Sequence, residues 1–441
     1  MKLFKHQKEE VELLSENPSF ALFAEQGTGK TIPMLKHISD LIMIGEVETC
    51  LIVAPLSGLG AWERDIEKFD SFRKALLKKA VTLINYDKVW RREEYYKPYD
   101  CLVLDEAHAI AYLNSNRTRF FLGYKRGKKE IIGLNKMCKY KYLLTGTPIS
   151  NGKLEQYYPL VEFMKPGLLK SYNEFRARYL TERQIPGTYA TFIVGYRNKE
   201  ELLKVVSKYS FRVTKKECLD LPEKLPDEVI YCELQEKKMY KSAEKDMYVE
   251  ALDLIIPNPL SLTVKTRQIC SGSVIDEFGT THDLKCDKDK MLLEMIESLG
   301  GRKIVVFCEF TASIEKIKKV LDKNKITYLE LSGQQKDKKI WTKFQASDDY
   351  QVMITQYKSG CSAIDLFTAS YMVFYEPPLS TTIVEQARDR IHRIGQKEAC
   401  NYYWFITKDT IEEDIYKRLV NKQDCNSDWL KQIAEYRKSK L

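Results

Sequence analysis

Short apolar runs that recur along the chain restrict the fold more than any other feature of the sequence. They are rich in Val, Ile and aromatic residues, and helical patterns such as Ala61–Phe69 and Ala312–Leu321 separate them. Such runs are typical of buried parallel strands that helices connect. The sequence therefore predicts an α/β fold with two lobes, each with a parallel sheet of about five recognisable strands flanked by helices. The predicted strands are Phe20–Ala24, Cys50–Ala54, Val81–Ile84, Cys101–Leu104, Tyr142–Leu144, Ile304–Cys308, Tyr328–Leu331, Val352–Thr355, Met372–Tyr375 and Tyr402–Ile406.

The middle of the chain, about residues 150–290, has few such runs and is rich in Tyr, Lys and Glu. The sequence LPEKLP at Leu221–Pro226 is typical of a turn or linker. We expect a first, nucleotide-binding lobe at 1–150, a helical protrusion and linker at 151–220, and a second lobe at 221–441. The second lobe is expected to contain a helical insertion at about 230–290 and a C-terminal helix.

Composition excludes several classes of protein. The 441 residues carry a net charge of +9, which permits a basic groove for nucleic acid and equally fits an ordinary solvated surface. The 11 cysteines include no C-x-x-C pair, and with only 5 histidines they favour reduced thiols over disulfides or a zinc site. The charged start predicts no signal peptide, and no apolar run approaches the roughly 20 residues of a membrane span. We therefore expect a cytoplasmic protein, bacterial or in a host cell, that is not secreted and has no membrane partner.

The sequence AEQGTGKT at Ala24–Thr31 follows a predicted strand and precedes an amphipathic stretch, as a phosphate-binding loop does. Glycines let backbone N–H groups face phosphate oxygens, Lys30 supplies a positive charge, and the Thr31 hydroxyl is expected to hold Mg²⁺. Ala24 stands where the usual pattern has Gly, so a Gly-rich turn with a lone Lys is the alternative. The predicted nucleotide-binding residues here are Glu25, Gln26, Gly27, Thr28, Gly29, Lys30 and Thr31.

An acidic pair, Asp105 and Glu106, closes the apolar run CLVL in the sequence DEAH. Ligand sites of α/β folds form at the carboxyl ends of strands. We expect Asp105 to bind Mg²⁺ and Glu106 to orient and deprotonate the attacking water. The alternative is an exposed acidic strand end. Together with the loop, this pair predicts ATP hydrolysis.

A basic segment far downstream, QARDRIHRIGQ at Gln386–Gln396, contains two candidate arginine fingers. On a helix, Arg390 and Arg393 share a face, with Gln386 one turn before Arg390. An arginine finger stabilises charge on the transferred phosphoryl group and is worth roughly 10³–10⁵ in rate. We assign catalytic roles to Arg390, Arg393 and Gln386, and the alternative is a solvated basic helix.

The order of these motifs resembles that of the SWI/SNF-type DNA-dependent ATPases of helicase superfamily two, nearly end to end. HRIGQ at His392–Gln396 is the most family-specific segment. FKHQ at Phe4–Gln7 is similar to the segment whose glutamine reads adenine, which nominates Gln7 for nucleotide binding. Further matching segments are motif Ia (Ala54–Phe69), motif Ib (Leu83–Asp87), motif III (Leu143–Asn151), KTRQICSG (Lys265–Gly272), motif IV (Lys303–Thr311), motif IVa (Leu331–Gly333) and TIEEDIYKRL (Thr410–Leu419).

The resemblance implies two RecA-like lobes, with ATP between them and a helix at Thr410–Leu419 that closes the second lobe and braces the first. In such motors the lobes close on ATP and open after hydrolysis, which moves them along the backbone of double-stranded DNA. Most members displace bound proteins or remodel branched DNA. Because Arg390 and Arg393 fall in a different lobe from Lys30, the resemblance implies a site that is complete only when the lobes close.

Two segments depart from the family pattern. Motif V, TQYKSGCSAIDL, has Cys361 and Ala363 where glycines are usual, although Gly360 and Asp365 remain. Each added Cβ puts close backbone approach in doubt. DEAH replaces the more usual DEGH or DESH, and EPPLSTTIVEQ lacks the Trp-Asn of nuclear members. Both features are similar to small prokaryotic and viral members.

Backbone tracking along DNA requires N–H groups, hydroxyls and cations at phosphate spacing. Residues in the matching motifs that are expected to contact DNA are Ser57, Gly58, Thr145, Gly146, Ser332, Gly333 and Thr355. The basic cluster Lys125–Lys129 is a further candidate, with a solvated surface loop as the equal alternative.

Three functions follow from these motifs. The first is a double-stranded DNA translocase that uses ATP and Mg²⁺, with DNA-bound proteins as displaced partners and no required oligomer. The second is a strand-separating helicase, because DEAH also occurs in unwinding enzymes. The third is a nucleotide-gated DNA-binding scaffold, against which Glu106, Arg390 and Arg393 together argue.

Overall fold

The computed structural model describes residues 3–56, 58–127, 129–149, 152–184, 187, 191–218, 221–335, 337, 339–360 and 364–439, with only the backbone of Arg126 and Lys129. The predicted positions Ser57, Lys128, Cys361 and Ala363 lie outside these residues. The chain divides into two compact units, Met1–Asp220 (lobe 1) and Leu221–Leu441 (lobe 2). In the described part of the chain, no helix has both the length and the apolar character that a membrane span requires.

The described residues of lobe 1 contain ten strands. They are β1 (Ser19–Ala24), β2 (Cys50–Ala54), β3 (Val81–Asn85), β4 (Tyr99–Asp105), β5 (Gly123–Arg126), β6 (Lys129–Ile132), β7 (Cys138–Leu144), β8 (Leu180–Gln184), β9 (Thr191–Tyr196) and β10 (Ser210–Val213). Six of them form one parallel sheet in the order β10-β1-β7-β4-β2-β3. The pairs β5–β6 and β8–β9 are antiparallel.

Helices cover both faces of this sheet, so strands β1 and β2 are buried along their whole length. Alternate residues of β1 enter two separate apolar clusters, with Ala21 and Phe23 in one and Phe20 and Leu22 in the other. The helices are α1 (Lys5–Glu16), α2 (Thr31–Met43), α3 (Leu59–Glu67), α4 (Ser71–Ala80), α5 (Tyr86–Val89), α6 (Asn116–Leu122), α7 (Tyr157–Met164), α8 (Tyr172–Tyr179), α9 (Lys199–Ser207) and α10 (Lys215–Cys218), with short 3-10 turns at Glu93–Tyr95, Ala107–Ile110, Leu134–Met137 and Leu154–Gln156.

Lobe 2 is built on a second parallel sheet. The strands described in lobe 2 are β11 (Glu228–Cys232), β12 (Tyr248–Val249), β13 (Leu254–Ile255), β14 (Ser273–Ile275), β15 (Thr281–Asp283), β16 (Ile304–Cys308), β17 (Tyr328–Leu331), β18 (Val352–Gln356), β19 (Tyr371–Phe374) and β20 (Asn401–Thr407). The sheet has the order β11-β20-β19-β16-β18-β17, and every neighbouring pair in it is parallel. The four remaining strands form two short antiparallel pairs.

The helices of lobe 2 pack on both faces of its sheet, and one buried ion pair links two of them. They are α11 (Lys237–Asp246), α12 (Pro259–Cys270), α13 (Asp287–Ser298), α14 (Thr311–Lys323), α15 (Trp341–Ala346), α16 (Tyr357–Gly360), α17 (Thr381–Ile391), α18 (Ile411–Val420) and α19 (Ser427–Ser439), with a 3-10 turn at Glu250–Leu252. Lys288 of α13 lies 2.7 Å from Glu412 of α18, and both side chains are fully buried. The Lys288 ammonium also donates to the Tyr375 carbonyl at 2.8 Å.

The predicted fold class, two parallel α/β lobes, is confirmed. All the predicted strands are present, although β7 begins earlier than predicted, at Cys138. Strands β10 and β11 were not predicted. Each lies at a sheet edge where most of its residues are at least partly exposed, and β11 has an apolar run, Val229–Cys232, that overlaps the segment expected to be a helical insertion. Residues 151–220 therefore contain a strand of the lobe 1 sheet besides helices, and residues 230–290 contain short strands as well as helices.

Candidate active site

The predicted nucleotide-binding residues of lobe 1 lie at the carboxyl edge of its sheet. Strand β7 lies between β1 and β4, so the loop after β1, the segment after β7 and the end of β4 are neighbours. The candidate phosphate loop follows β1, and Asp105 ends β4. The topology thus brings together residues that lie far apart in the sequence.

The loop between β1 and α2 has the backbone of a phosphate cradle. Gly27 and Gly29 have φ angles of 85° and 82°, a region that favours glycine. Thr28 between them is fully buried, and its hydroxyl donates to the Glu25 carbonyl at 2.9 Å. Helix α2 begins at Thr31, so its first N–H groups have no partner within the helix and point toward this loop. Such a concavity of N–H groups binds anions such as phosphate.

Helix α1 holds the loop from outside. The Gln7 amide donates to the Gly29 carbonyl at 3.1 Å and accepts from the Phe4 N–H at 3.1 Å. His6 Nε2 donates to the Thr28 carbonyl at 3.0 Å. Both groups of the Gln7 amide are therefore engaged within lobe 1, and adenine reading by Gln7 stays a prediction.

Two further loop residues contact parts of lobe 1 that the sequence motifs did not indicate. The Glu25 carboxylate accepts from the Lys215 backbone N–H at 2.9 Å, which ties the loop to the start of α10. The Gln26 amide donates to Glu106 Oε1 at 3.0 Å. Gln26 thus connects the phosphate loop directly to the acidic pair.

Asp105 is buried and held by three donors. The Trp62 indole N–H donates to Oδ2 at 2.9 Å, and the Glu106 N–H donates to Oδ1 at 2.9 Å. The Tyr86 hydroxyl donates to the Asp105 carbonyl at 2.8 Å. Burial raises the pKa of Asp105, and the neighbouring Glu106 charge adds to this, while Lys30 and the Trp62 hydrogen bond oppose it. A divalent cation beside this carboxylate would favour its charged form.

Glu106 lies in a strained backbone conformation at the turn after β4. Its φ of 50° is left-handed, which costs a non-glycine residue roughly 1–2 kcal/mol. The Lys30 ammonium lies 3.5 Å from Glu106 Oε1. Burial raises the pKa of Glu106, but Lys30 and hydrogen bonds from His108 and Gln26 outweigh that effect and lower it to about 2. Glu106 is therefore an ionised carboxylate next to the Lys30 charge.

The segment after β7 completes this edge of the sheet. His108 Nδ1 lies 3.4 Å from Glu106 Oε2 and 3.4 Å from the Thr145 hydroxyl. Thr145 is fully buried and also accepts from the Thr147 N–H at 3.1 Å. A Cβ on Gly146 would lie 3.1 Å from the Gln26 nitrogen, so this backbone packs directly on the phosphate loop. Thr145 thus contacts His108, which lies beside Glu106, and Gly146 packs on the phosphate loop. Contact of either residue with DNA stays a prediction.

The oxygen donors in this site fit a magnesium ion. Mg²⁺ prefers hard carboxylate and hydroxyl oxygens together with phosphate oxygens. The predicted ligands are the Thr31 hydroxyl at the start of α2 and the Asp105 carboxylate. Burial disfavours the negative charge of this carboxylate. Both belong to the carboxyl edge of one sheet, which is where a nucleotide-bound metal is needed.

In lobe 2, the predicted arginine fingers meet at one carbonyl oxygen. Arg390 and Arg393 both donate to the Ile364 carbonyl, at 3.3 Å and 3.0 Å, and Arg393 also pairs with Asp365. The Gln386 carbonyl accepts from Arg390 Nε at 2.9 Å. The prediction that both arginines lie on one helix face is wrong, because α17 ends at Ile391 and the chain then turns. The shared carbonyl, not helical spacing, brings their guanidinium groups together.

The DNA-contact candidates of lobe 2 lie at the carboxyl ends of β17 and β18. Gly333 is exposed, and its N–H donates to Gln356 at 3.4 Å. Ser332 and Thr355 are almost fully buried, and the Thr355 hydroxyl donates to the Leu331 carbonyl at 3.3 Å. Contact of these residues with DNA stays a prediction, and among the three only Gly333 offers an exposed surface.

Two candidate contact regions of lobe 1 lie apart from the acidic pair. Gly58 immediately precedes α3, and its N–H donates to the Pro55 carbonyl at 2.8 Å. The basic cluster occupies the β5–β6 hairpin, where Lys125 is exposed. Lys128 and the side chains of Arg126 and Lys129 lie outside the described residues.

Family models match most of the chain. The SNF2-related domain matches residues 71–275, and the helicase conserved C-terminal domain matches residues 287–395. The first match includes the acidic pair, and the second includes Arg390 and Arg393.

Similar curated proteins come from bacteria and yeast. An uncharacterized ATP-dependent helicase of Mycoplasma genitalium is 27% identical over 99% of this chain and 43% of its own length. The putative ATP-dependent helicase/translocase YwqA of Bacillus subtilis is 26% identical over 91% of this chain and 45% of its own length. The DNA repair and recombination protein RDH54 of Saccharomyces cerevisiae is 24% identical over 89% of this chain and 47% of its own length. The chain thus spans less than half the length of these relatives.

A solved structure of similar sequence is the Sulfolobus solfataricus SWI2/SNF2 ATPase core in complex with dsDNA. It is 24% identical, with 100% of this chain and 94% of that chain covered, at a TM-score of 0.44.

Proposed function

Because the chain belongs to the SWI/SNF-type family of helicase superfamily two, we propose that it is an ATP-driven motor that moves along the backbone of double-stranded DNA. The observation that carries this proposal is the contact between Lys30 of the phosphate loop and Glu106 of the acidic pair, at 3.5 Å. A protein that only binds nucleotide needs the lysine but not an ionised carboxylate beside it.

The phosphate loop binds and orients ATP. Backbone N–H groups around Gly27 and Gly29 donate to oxygens of the β and γ phosphates, and Lys30 adds its charge. Thr31 and Asp105 would hold Mg²⁺, which would neutralise charge on the phosphate oxygens when bound. The pKa of Glu106, about 2, keeps its carboxylate ionised, so it orients the attacking water.

Lys30 and Glu106 face each other at 3.5 Å, so the ammonium that binds phosphate and the carboxylate that orients the water lie side by side in lobe 1.

Arg390 and Arg393 stabilise the charge that develops on the γ phosphoryl group, and Gln386 supports them. The planar guanidinium binds phosphate oxygens in a bidentate manner, which an ammonium cannot do. Asp365 and the Ile364 carbonyl hold the Arg393 guanidinium in place within lobe 2.

Motion along DNA requires contacts with the phosphate backbone, not with base edges. The exposed positions of Gly333 and of Lys125 in the β5–β6 hairpin support this role, because Lys125 offers positive charge to phosphates. We place the motor where ATP and DNA occur together, in the cytoplasm of a bacterial or host cell, with proteins on DNA as its displaced targets.

The test is ATP turnover with single-stranded, double-stranded and branched DNA and with RNA, at several salt concentrations. We expect the largest stimulation with double-stranded or branched DNA, and a stimulation that declines as salt rises. Stimulation by single strands or RNA alone would contradict the proposal. Robust separation of a plain duplex without partners would indicate the strand-separating helicase instead.

A further inference from the structure

Two buried aromatic side chains outside the predicted site contact the candidate Mg²⁺ ligand. The Trp62 indole donates to the Asp105 carboxylate at 2.9 Å, and the Tyr86 hydroxyl donates to the Asp105 carbonyl at 2.8 Å. Trp62 is fully buried, and Tyr86 is 3% exposed. Asp105 is therefore fixed through its carboxylate and through its backbone by two separate elements.

These elements belong to the segments that resemble motifs Ia and Ib. Trp62 lies one turn into α3, and its backbone N–H donates to the Gly58 carbonyl at 3.4 Å. One helical turn therefore connects Trp62 to Gly58, a predicted DNA contact. Tyr86 begins α5 directly after β3. Helix α3 follows β2, which lies next to β4 in the sheet. Helix α5 follows β3, which lies next to β2.

The surroundings of both rings leave little room for independent movement. Trp62 packs among the apolar residues on one face of the sheet. The Tyr86 ring meets Phe121 edge to face, with centroids 6.2 Å apart, and the Arg117 guanidinium lies 5.5 Å from its centroid. Close-packed interiors transmit small displacements instead of absorbing them. A shift of α3 or α5 therefore moves the donors that hold Asp105.

We infer that Trp62 and Tyr86 are positioning residues for Asp105, and that they couple DNA contact at the Gly58 turn after β2 to the metal and nucleotide site. This inference rests on the proposed function. Outer partners that orient a metal-binding carboxylate typically change metal affinity by about 10–100-fold. A misplacement of about 1 Å in a reacting group can cost roughly 10²-fold in rate.

The variants Trp62→Phe and Tyr86→Phe remove each donor and retain an aromatic ring. Trp90→Phe is the matched control, because Trp90 is a partly buried tryptophan of lobe 1 that packs in the same lobe's core. Thermal melting of each variant establishes that it is folded. Mn²⁺ binding in the presence of a non-hydrolysable ATP analogue, measured by electron paramagnetic resonance, reports the metal site without requiring turnover.

We expect Trp62→Phe to weaken Mn²⁺ binding about tenfold, and Tyr86→Phe to weaken it less, because its hydrogen bond reaches only the backbone. We also expect both variants to lower the ratio of DNA-stimulated to basal turnover, while Trp90→Phe changes neither quantity. A merely structural role would lower basal and stimulated turnover together and leave the ratio unchanged, and this result would overturn the inference. Unchanged Mn²⁺ binding in folded Trp62→Phe would overturn it as well.

Different results would contradict the proposed function and the coupling through Asp105. If the unmodified protein shows no stimulation by duplex DNA, the proposed function is wrong, whatever the variants do. If the unmodified protein is stimulated and folded Trp62→Phe keeps the same stimulation ratio, the proposed function stands and the coupling through Asp105 is wrong.

Discussion

Replacement of Glu106 by Gln separates hydrolysis from nucleotide binding. Gln has nearly the same shape as Glu, so the contact with Gln26 at 3.0 Å can be retained while the negative charge is lost. A positioned general base contributes about 10²–10⁴ in rate, and each tenfold corresponds to about 1.4 kcal/mol of barrier. The expected increase in the barrier is therefore about 3–5 kcal/mol.

Binding of ATP should not weaken in this variant. Lys30 loses its partner at 3.5 Å and becomes more available to phosphates, and the repulsion between Glu106 and the phosphates disappears. The assay combines turnover at saturating ATP and duplex DNA with the affinity for a fluorescent ATP analogue. Glu63→Gln on α3 is the control, because Glu63 is an exposed carboxylate. Turnover within tenfold of the unmodified protein would refute the role of Glu106.

Three further changes test other parts of the structure. Arg393→Lys retains the charge but loses the planar fork, and its turnover should fall by about 10³-fold or more in an ATPase assay, with ATP affinity nearly unchanged. Lys288→Met leaves Glu412 charged and buried, which should cost about 3–5 kcal/mol in chemical denaturation of lobe 2, and a second change, Glu412→Leu, should recover most of it. Burial raises the pKa of Glu10 from 4.5 to about 8, against the Lys30 charge. The folded state binds this proton more tightly than the unfolded state, so lobe 1 should lose stability as the pH rises from 4.5 to about 8. Thermal melts at pH 5 and pH 8 measure this loss, and Glu10→Gln should abolish it.

The sequence predicted the central strands because a buried parallel strand must be apolar on both faces. Strands β1 and β16, for example, are buried at every residue, and both were recognised from their apolar runs. The edge strands β10 and β11 are more exposed than the central strands. Strand β10 is short and contains Ser and Arg, and the apolar run of β11 was not recognised as a strand. Pairing with a buried neighbour, not composition, makes these segments strands.

The parts of the candidate site that were predicted correctly are those whose backbone conformation depends on neighbouring residues in the sequence. Gly27 and Gly29 have the positive φ that the loop requires, and Asp105 ends its strand as the motif indicates. Contacts across the sheet depend instead on strand order, which the sequence does not state. Trp62 and Tyr86 were missed for this reason, since nothing near them in the sequence points to Asp105. The helix ending at Ile391 was missed because helical periodicity does not mark where the chain turns.

Motion along duplex DNA is the central claim, and displacement of a triplex-forming strand measures it most directly. A third strand bound to a long duplex is removed when a motor tracks through the duplex, without separation of the duplex strands. We predict ATP-dependent release by the unmodified protein, no release by Glu106→Gln, and no unwinding of the duplex alone. DNA-stimulated ATP hydrolysis without any triplex release would contradict the account.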